Sequence, residues 1–178
     1  MLKKIVIAAA AFAAIGSDVS LAASTVLVTA TGSLNVTATV VASCSVTLKT
    51  NIVFGNVTVV PGTLAKTNGN DGAFDVTCDN GTDYAVGVGN GGFHSTTRQM
   101  AFGAQRLPYE LYTDPAYTTV FTDVVVGSGV GASASSGNVG FTGTGGTQTY
   151  TVYGKIPLGT AKPLPGAYSD NVVVDLVY

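Results

Sequence analysis

The chain has 178 residues, enough for one domain with its own core. Eight Lys or Arg against ten Asp or Glu give a net charge of −2 with no basic stripe, which argues against nucleic acid as a partner. Only 10% of residues are charged and the mean hydropathy is +0.40, so sparse charge on a Val-, Ala-, Thr- and Gly-rich chain suggests a surface meant to be covered by another chain.

Lys3 and Lys4 precede an apolar run at 5–15, followed by a polar break at Gly16, Ser17 and Asp18. The run is too short to span a bilayer and no stop-transfer pattern follows, so residues 1–22 are expected to be a secretory signal peptide. Small residues at Ser20 and Ala22 fit cleavage after Ala22; cleavage after Ala23 is the near alternative, and a membrane anchor is the competing reading. An exported chain with two cysteines, neither in a CxxC, most simply bonds Cys44 to Cys78.

Residues 23–40 form an N-terminal extension with an unusual pattern. Val26, Val28, Ala30, Leu34, Val36, Ala38 and Val40 all occupy even positions, with Thr and Asn on most odd ones. Period 2 places one set on one face of an extended strand. The run is about 50 Å long at ~3.3 Å per residue, far beyond an ordinary strand. Either it forms two consecutive strands kinked at Gly32, or part of it leaves its own domain to pair with another copy by strand addition.

From 41 to 178 almost every segment reads as strand, with Val, Thr, Tyr and Phe in short runs bounded by Gly, Asn, Asp and Pro. With the extension's runs at 25–31 and 33–41, the expected strands are 44–48, 51–54, 57–60, 73–78, 83–89, 99–102, 106–112, 118–125, 138–142, 147–156 and 168–178. Gly-rich stretches at 87–92, 127–137 and 143–146 read as loops. No 3.6-residue apolar period is found, and the spacing of turns predicts an all-β sandwich. In the last run Val172, Val174, Leu176 and Tyr178 share one face. The sequence ends inside that strand, which predicts an edge left unpaired unless something covers it.

Catalytic signatures are missing. His94 is the only histidine, on a Gly-rich loop, and no GxSxG is present. Gly87 to Gly92 matches GxGxxG without a following helix pattern, so it reads as a turn. One His, two Cys and scattered carboxylates give no zinc-ligand spacing. No cofactor, metal or small-molecule substrate is therefore expected. Tyr109, Tyr112, Tyr117, Tyr150, Tyr153 and Tyr168 read as core aromatics whose hydroxyls reach backbone partners, with a carbohydrate platform as the alternative.

Several stretches in fixed order, TGSLNVTATVVASC (31–44), LPYELYTD (107–114), TTVF (118–121), YTVYGKIPLG (150–159) and PGAYSDNVVVDLVY (165–178), resemble the spore coat protein U domain family. That family includes the pilin subunits of archaic chaperone–usher fibres. The chain departs from it with Phe121 where Trp is common and with a longer loop at 127–137. The resemblance implies an incomplete immunoglobulin-like sandwich at 41–178 that lacks its last strand and is completed by donor-strand insertion. A periplasmic chaperone would fill the gap first. The extension of the next copy, or of a related pilin, would replace it at an outer-membrane usher. The donor segment is expected within 24–40, carried by Val26, Val28, Leu34, Val36, Ala38 and Val40. Val172, Val174, Leu176 and Tyr178 would line the acceptor. The expected product is a cell-surface fibre for adhesion and biofilm formation; the rival is a monomeric exported sandwich that binds a glycan or matrix component.

Overall fold

The computed structural model describes residues 29–57, 66–67, 71–124, 130–131, 137–157 and 163–178. It divides the chain into two units, Met1–Ala38 and Thr39–Tyr178. The described part of the first, 29–38, carries no strand and is exposed throughout. The second holds nine strands among its described residues: β1 Cys44–Thr50, β2 Lys66–Thr67, β3 Gly72–Cys78, β4 Asp83–Val88, β5 Arg98–Phe102, β6 Gln105–Tyr112, β7 Val139–Thr142, β8 Thr147–Ile156 and β9 Val174–Val177.

The strands form two antiparallel sheets. The larger runs β1-β3-β8-β6-β5, with β2 also on β8; the smaller runs β7-β4-β9. Burial alternates along β3 and β6, one face in and one out, as expected of a sheet with a single covered face. Phe74, Val76, Leu107, Tyr109, Leu111, Val152 and Ile156 from the larger sheet meet Tyr84, Val86 and Val88 of β4 in one core. The Tyr84 hydroxyl ties the layers together, donating to Gln148 Oε1 at 2.9 Å and bonding the Tyr150 hydroxyl. Cys44 and Cys78 are register partners of β1 and β3 and are joined by a disulfide. Closing a loop of that length contributes roughly 3–4 kcal/mol on the chain-entropy model.

Several expected strands differ, among them 51–54, which belongs to none of the nine strands. The extension at 29–41 has no strand, and its 25–28 part lies outside the described residues, as does 58–60 of the run at 57–60. The run 118–125 contributes only a bridge from Val120 to Tyr112, although Phe121 is fully buried. Its pairing with β6 is short, because the backbone partners change after Phe121: Thr113 N donates to Thr119 O and Phe121 N to Leu111 O, but Thr122 N donates to Gly137 O and Thr122 O accepts from Val88 N. The segment instead covers the outer face of β4, where a Cβ on Gly87 would stand 2.1 Å from Val124 N. The run 168–178 is not one strand either. Ser169 pairs with Ala101 in the larger sheet, while 174–177 pairs with β4 in the smaller, because the chain changes layers between them.

One side chain missed by the sequence reading anchors this crossing region. Arg98, 2% exposed, pairs with Glu110 and donates to the carbonyls of Val88, Gly89 and Phe121. It joins β4, β5, β6 and the 121 segment at one buried point. Arg98→Met should lower unfolding free energy by about 3–5 kcal/mol in urea titrations, since it strands a carboxylate and buried carbonyls; a loss below ~1 kcal/mol would show the network to be dispensable.

Candidate functional site

Residues opposite each other in an antiparallel pair point to the same face. Val46 and Leu48 of β1 stand opposite Val76 and Phe74 of β3. Val76 and Phe74 are 0% and 1% exposed, yet Val46 and Leu48 are 38% and 62% exposed. The β1 row thus faces the core side yet is left partly open among the described residues. The smaller sheet is the short one: it ends at β9, which among the described residues pairs only with β4.

Between β1 with its continuation 51–57 and the C-terminal segment 163–174 runs a groove of about 1080 Å³. Phe74, Leu107, Tyr109, Leu111, Val152 and Ile156 form its floor. Leu48, Ile52, Phe54 and Val57 line one wall, and Leu164, Tyr168, Val172 and Val174 the other. Ile52 and Phe54 lie flat on the larger sheet because glycine stands beneath them. A Cβ on Gly72 would come within 2.6 Å of Ile52, and one on Gly154 within 2.8 Å of Phe54. The sequence marks 51–54 as a strand; its role as a groove wall was not legible, because it depends on two glycines far along the chain.

The expected site residues fall in three places. Val26 and Val28 lie outside the described residues. Leu34, Val36 and Val40 are 88%, 82% and 92% exposed, and Ala38 is exposed as well. Val172 and Val174 pack against the core and line the groove; Leu176 packs against the core without lining it, and Tyr178 is 56% exposed and does not line it. Of the tyrosines, Tyr168 reaches a backbone carbonyl, that of Leu164, as expected. Tyr109 and Tyr150 instead bond side chains, Asp170 and Tyr84. His94 is exposed. Among the described residues no group of three or more His, Cys, Asp or Glu could hold a metal ion.

The Spore Coat Protein U domain model matches residues 30–175, and the chain belongs to that family. No curated protein matches it in sequence. Among solved structures, one chain of the CsuC–CsuE chaperone–tip adhesion subunit pre-assembly complex, from archaic chaperone–usher Csu pili of Acinetobacter baumannii, is similar at 16% identity and a TM-score of 0.49. The match covers 79% of this chain and 41% of that one, so the present chain spans about two fifths of that protein.

On the outer side of β9, Asp175 sits near Asp123, Asn90 and Asn171. Desolvation, then the Asp123 charge and a hydrogen bond to it, push the Asp175 carboxyl above the usual range. A raised carboxyl binds its proton more readily in the folded state, so stability at this site falls as pH rises from the unfolded carboxyl range through the raised value. Asp114 has the opposite sign. Its carboxylate accepts from the amides of Thr119, Thr118 and Ala116, which lowers its pKa, and that contribution is lost as pH falls. Asp175→Asn should therefore melt higher than the wild type at pH 7, with the gap closing as pH drops toward 4. Melting curves at both pH values check this; a gap that widens in acid contradicts it.

Proposed function

We propose that this chain is a structural subunit of a surface fibre, assembled by inserting an extended segment of one copy into the groove of the next. The observation that carries the reading is the apolar row Val46–Leu48, exposed on the core side of β1, together with an edge of β9 that is unpaired among the described residues. One strand laid beside β9 would cover the row and pair the edge together. The occupant is residues 34–40 of a second copy: Leu34, Val36, Ala38 and Val40 alternate with polar residues and are exposed in their own chain. Seven extended residues reach about 20 Å at ~3.3 Å each. Each large apolar residue fully buried is worth about 1.5–3 kcal/mol, and backbone hydrogen bonds add to this. Val26 and Val28 would extend the donor toward its N-terminal end.

Membership of the Spore Coat Protein U domain family supports the same reading, since the family resemblance extends to pilins of archaic chaperone–usher fibres. In that scheme residues 1–22 direct the chain to the periplasm and are cleaved off on export, after Ala22 or Ala23. A chaperone covers the groove, an usher exchanges it for the next copy's extension, and the fibre serves adhesion and biofilm formation.

Leu34→Asp and Val36→Asp would place a carboxylate in the apolar groove of the neighbour, costing several kcal/mol per buried ion. Fibre yield, measured by electron microscopy and by ladders on non-boiled gels, should fall more than tenfold. Folded subunit should still accumulate in the periplasm. Normal fibres, or loss of the subunit itself, would contradict the reading. A wild-type mature chain that stays monomeric on size exclusion at all concentrations would favour a sandwich that binds a glycan or matrix component.

A further inference from the structure

The two walls of the groove are tied together through one floor residue, Tyr109 of β6. Its ring meets Phe54 edge-on, with centroids 6.1 Å apart at 64°, and its hydroxyl donates to Asp170 Oδ2 at 2.7 Å. Phe54 belongs to the wall at 51–57 and Asp170 to the C-terminal wall. We propose that Tyr109 is the positioning residue that sets the width of the groove, propping one wall with its ring and holding the other with its hydroxyl.

Asp170 sits where the C-terminal segment most needs a fixed point. Just before it, Ser169 and Ala101 exchange backbone bonds at 2.9 and 3.1 Å, holding the segment to the larger sheet. Just after it, Val173 O accepts from Gly89 N at 2.8 Å, and β9 then joins the smaller sheet. At the crossing, side-chain bonds stand in for a ladder. Asp170 Oδ1 accepts from the amides of Gly92 and Asn171, both at 2.9 Å, while Oδ2 takes the Tyr109 hydroxyl. The loop presses against the carboxylate, and a Cβ on Gly91 would stand 2.0 Å from Oδ2. The carboxylate is thus held by a loop, by the amide of the neighbouring Asn171 and by the floor of the groove.

Tyr109 is 4% exposed, and a buried hydroxyl calls for a hydrogen-bond partner, which Asp170 supplies. Burial, and next the Asp170 bond, push its pKa well above the usual phenol range, so it stays an O–H donor wherever the protein is folded. A hydrogen bond to a carboxylate is among the stronger kinds. Neighbouring strands sit ~4.7–4.9 Å apart, so a wall displaced by even an ångström misaligns a ladder. The consequence for a donor segment rests on the strand-acceptor reading above; the coupling of the walls does not.

Hydrogen–deuterium exchange of the full chain by mass spectrometry separates the two. Tyr109→Phe keeps the ring and removes only the hydroxyl. It should speed exchange at 169–174 roughly tenfold, while 52–57 and β3 keep wild-type rates. Asp170→Asn should do the same, and the double variant should be no faster than the faster single one, because both remove one bond. Tyr109→Leu should loosen 52–57 as well. Unchanged exchange at 169–174 in Tyr109→Phe, a rise spread evenly over β3, or additive singles would overturn the proposal. A synthetic peptide of residues 30–42 supplies the functional arm: it should leave the Tyr109→Phe chain about tenfold faster than wild type. Equal rates would show that Tyr109 does not set the width. Failure of the wild-type chain to take up the peptide would sink the strand-acceptor reading, and the exchange data would still decide the coupling.

Discussion

A β-sandwich is stable when both inner faces are covered and its edges are paired or protected. Among the described residues, cover is incomplete at the groove. The smaller sheet stops, among the described residues, at β9, and the inward residues Val46 and Leu48 of β1 stand partly open. A bare ladder edge and an uncovered apolar row are each a hazard alone. On the proposed reading, the two together, with the groove lined by core side chains, form a slot for a strand.

Such a slot would be expected to close on itself, and the fold resists this at several points. The disulfide holds the start of β1 to β3, in the larger sheet. Arg98 fixes the end of β4 against β5, β6 and the 121 segment. Gly72 and Gly154 let Ile52 and Phe54 lie low on the sheet, so the wall rests beside the floor and leaves volume above it. On the proposed reading, these contacts keep open a gap that a second copy fills. Assembly then draws on the same burial that stabilises a complete domain.

The sequence made the class of fold legible through its shortest-range signals. Alternation over 73–78, 106–112 and 147–156 recovers β3, β6 and β8 almost to the residue, because each has one buried face. The disulfide followed from export and an even cysteine count. Alternation misled where backbone pairing is irregular. Residues 118–124 bury only Phe121 and Val124 and leave β6 for other partners after Phe121, and 168–178 changes layers at Asp170, which no period can reveal. The groove was implied by family resemblance but not drawn from residues. Its walls depend on Gly72, Gly154 and Asp170 meeting side chains dozens of positions away. The alternating extension was the strongest sequence clue to a joint, and in the isolated chain it forms no strand at 29–41.

The central claim is that residues 34–40 of one copy occupy the groove of another. The most direct measurement is cross-linking mass spectrometry on assembled material made from equal parts of light and 15N-labelled chain, with a photo-reactive residue in place of Val36. The account predicts mixed-isotope links from position 36 to peptides containing Leu48 or Ile52 on one wall and Val174 on the other. Links confined to a single isotope, or mixed links that avoid both walls, would contradict it.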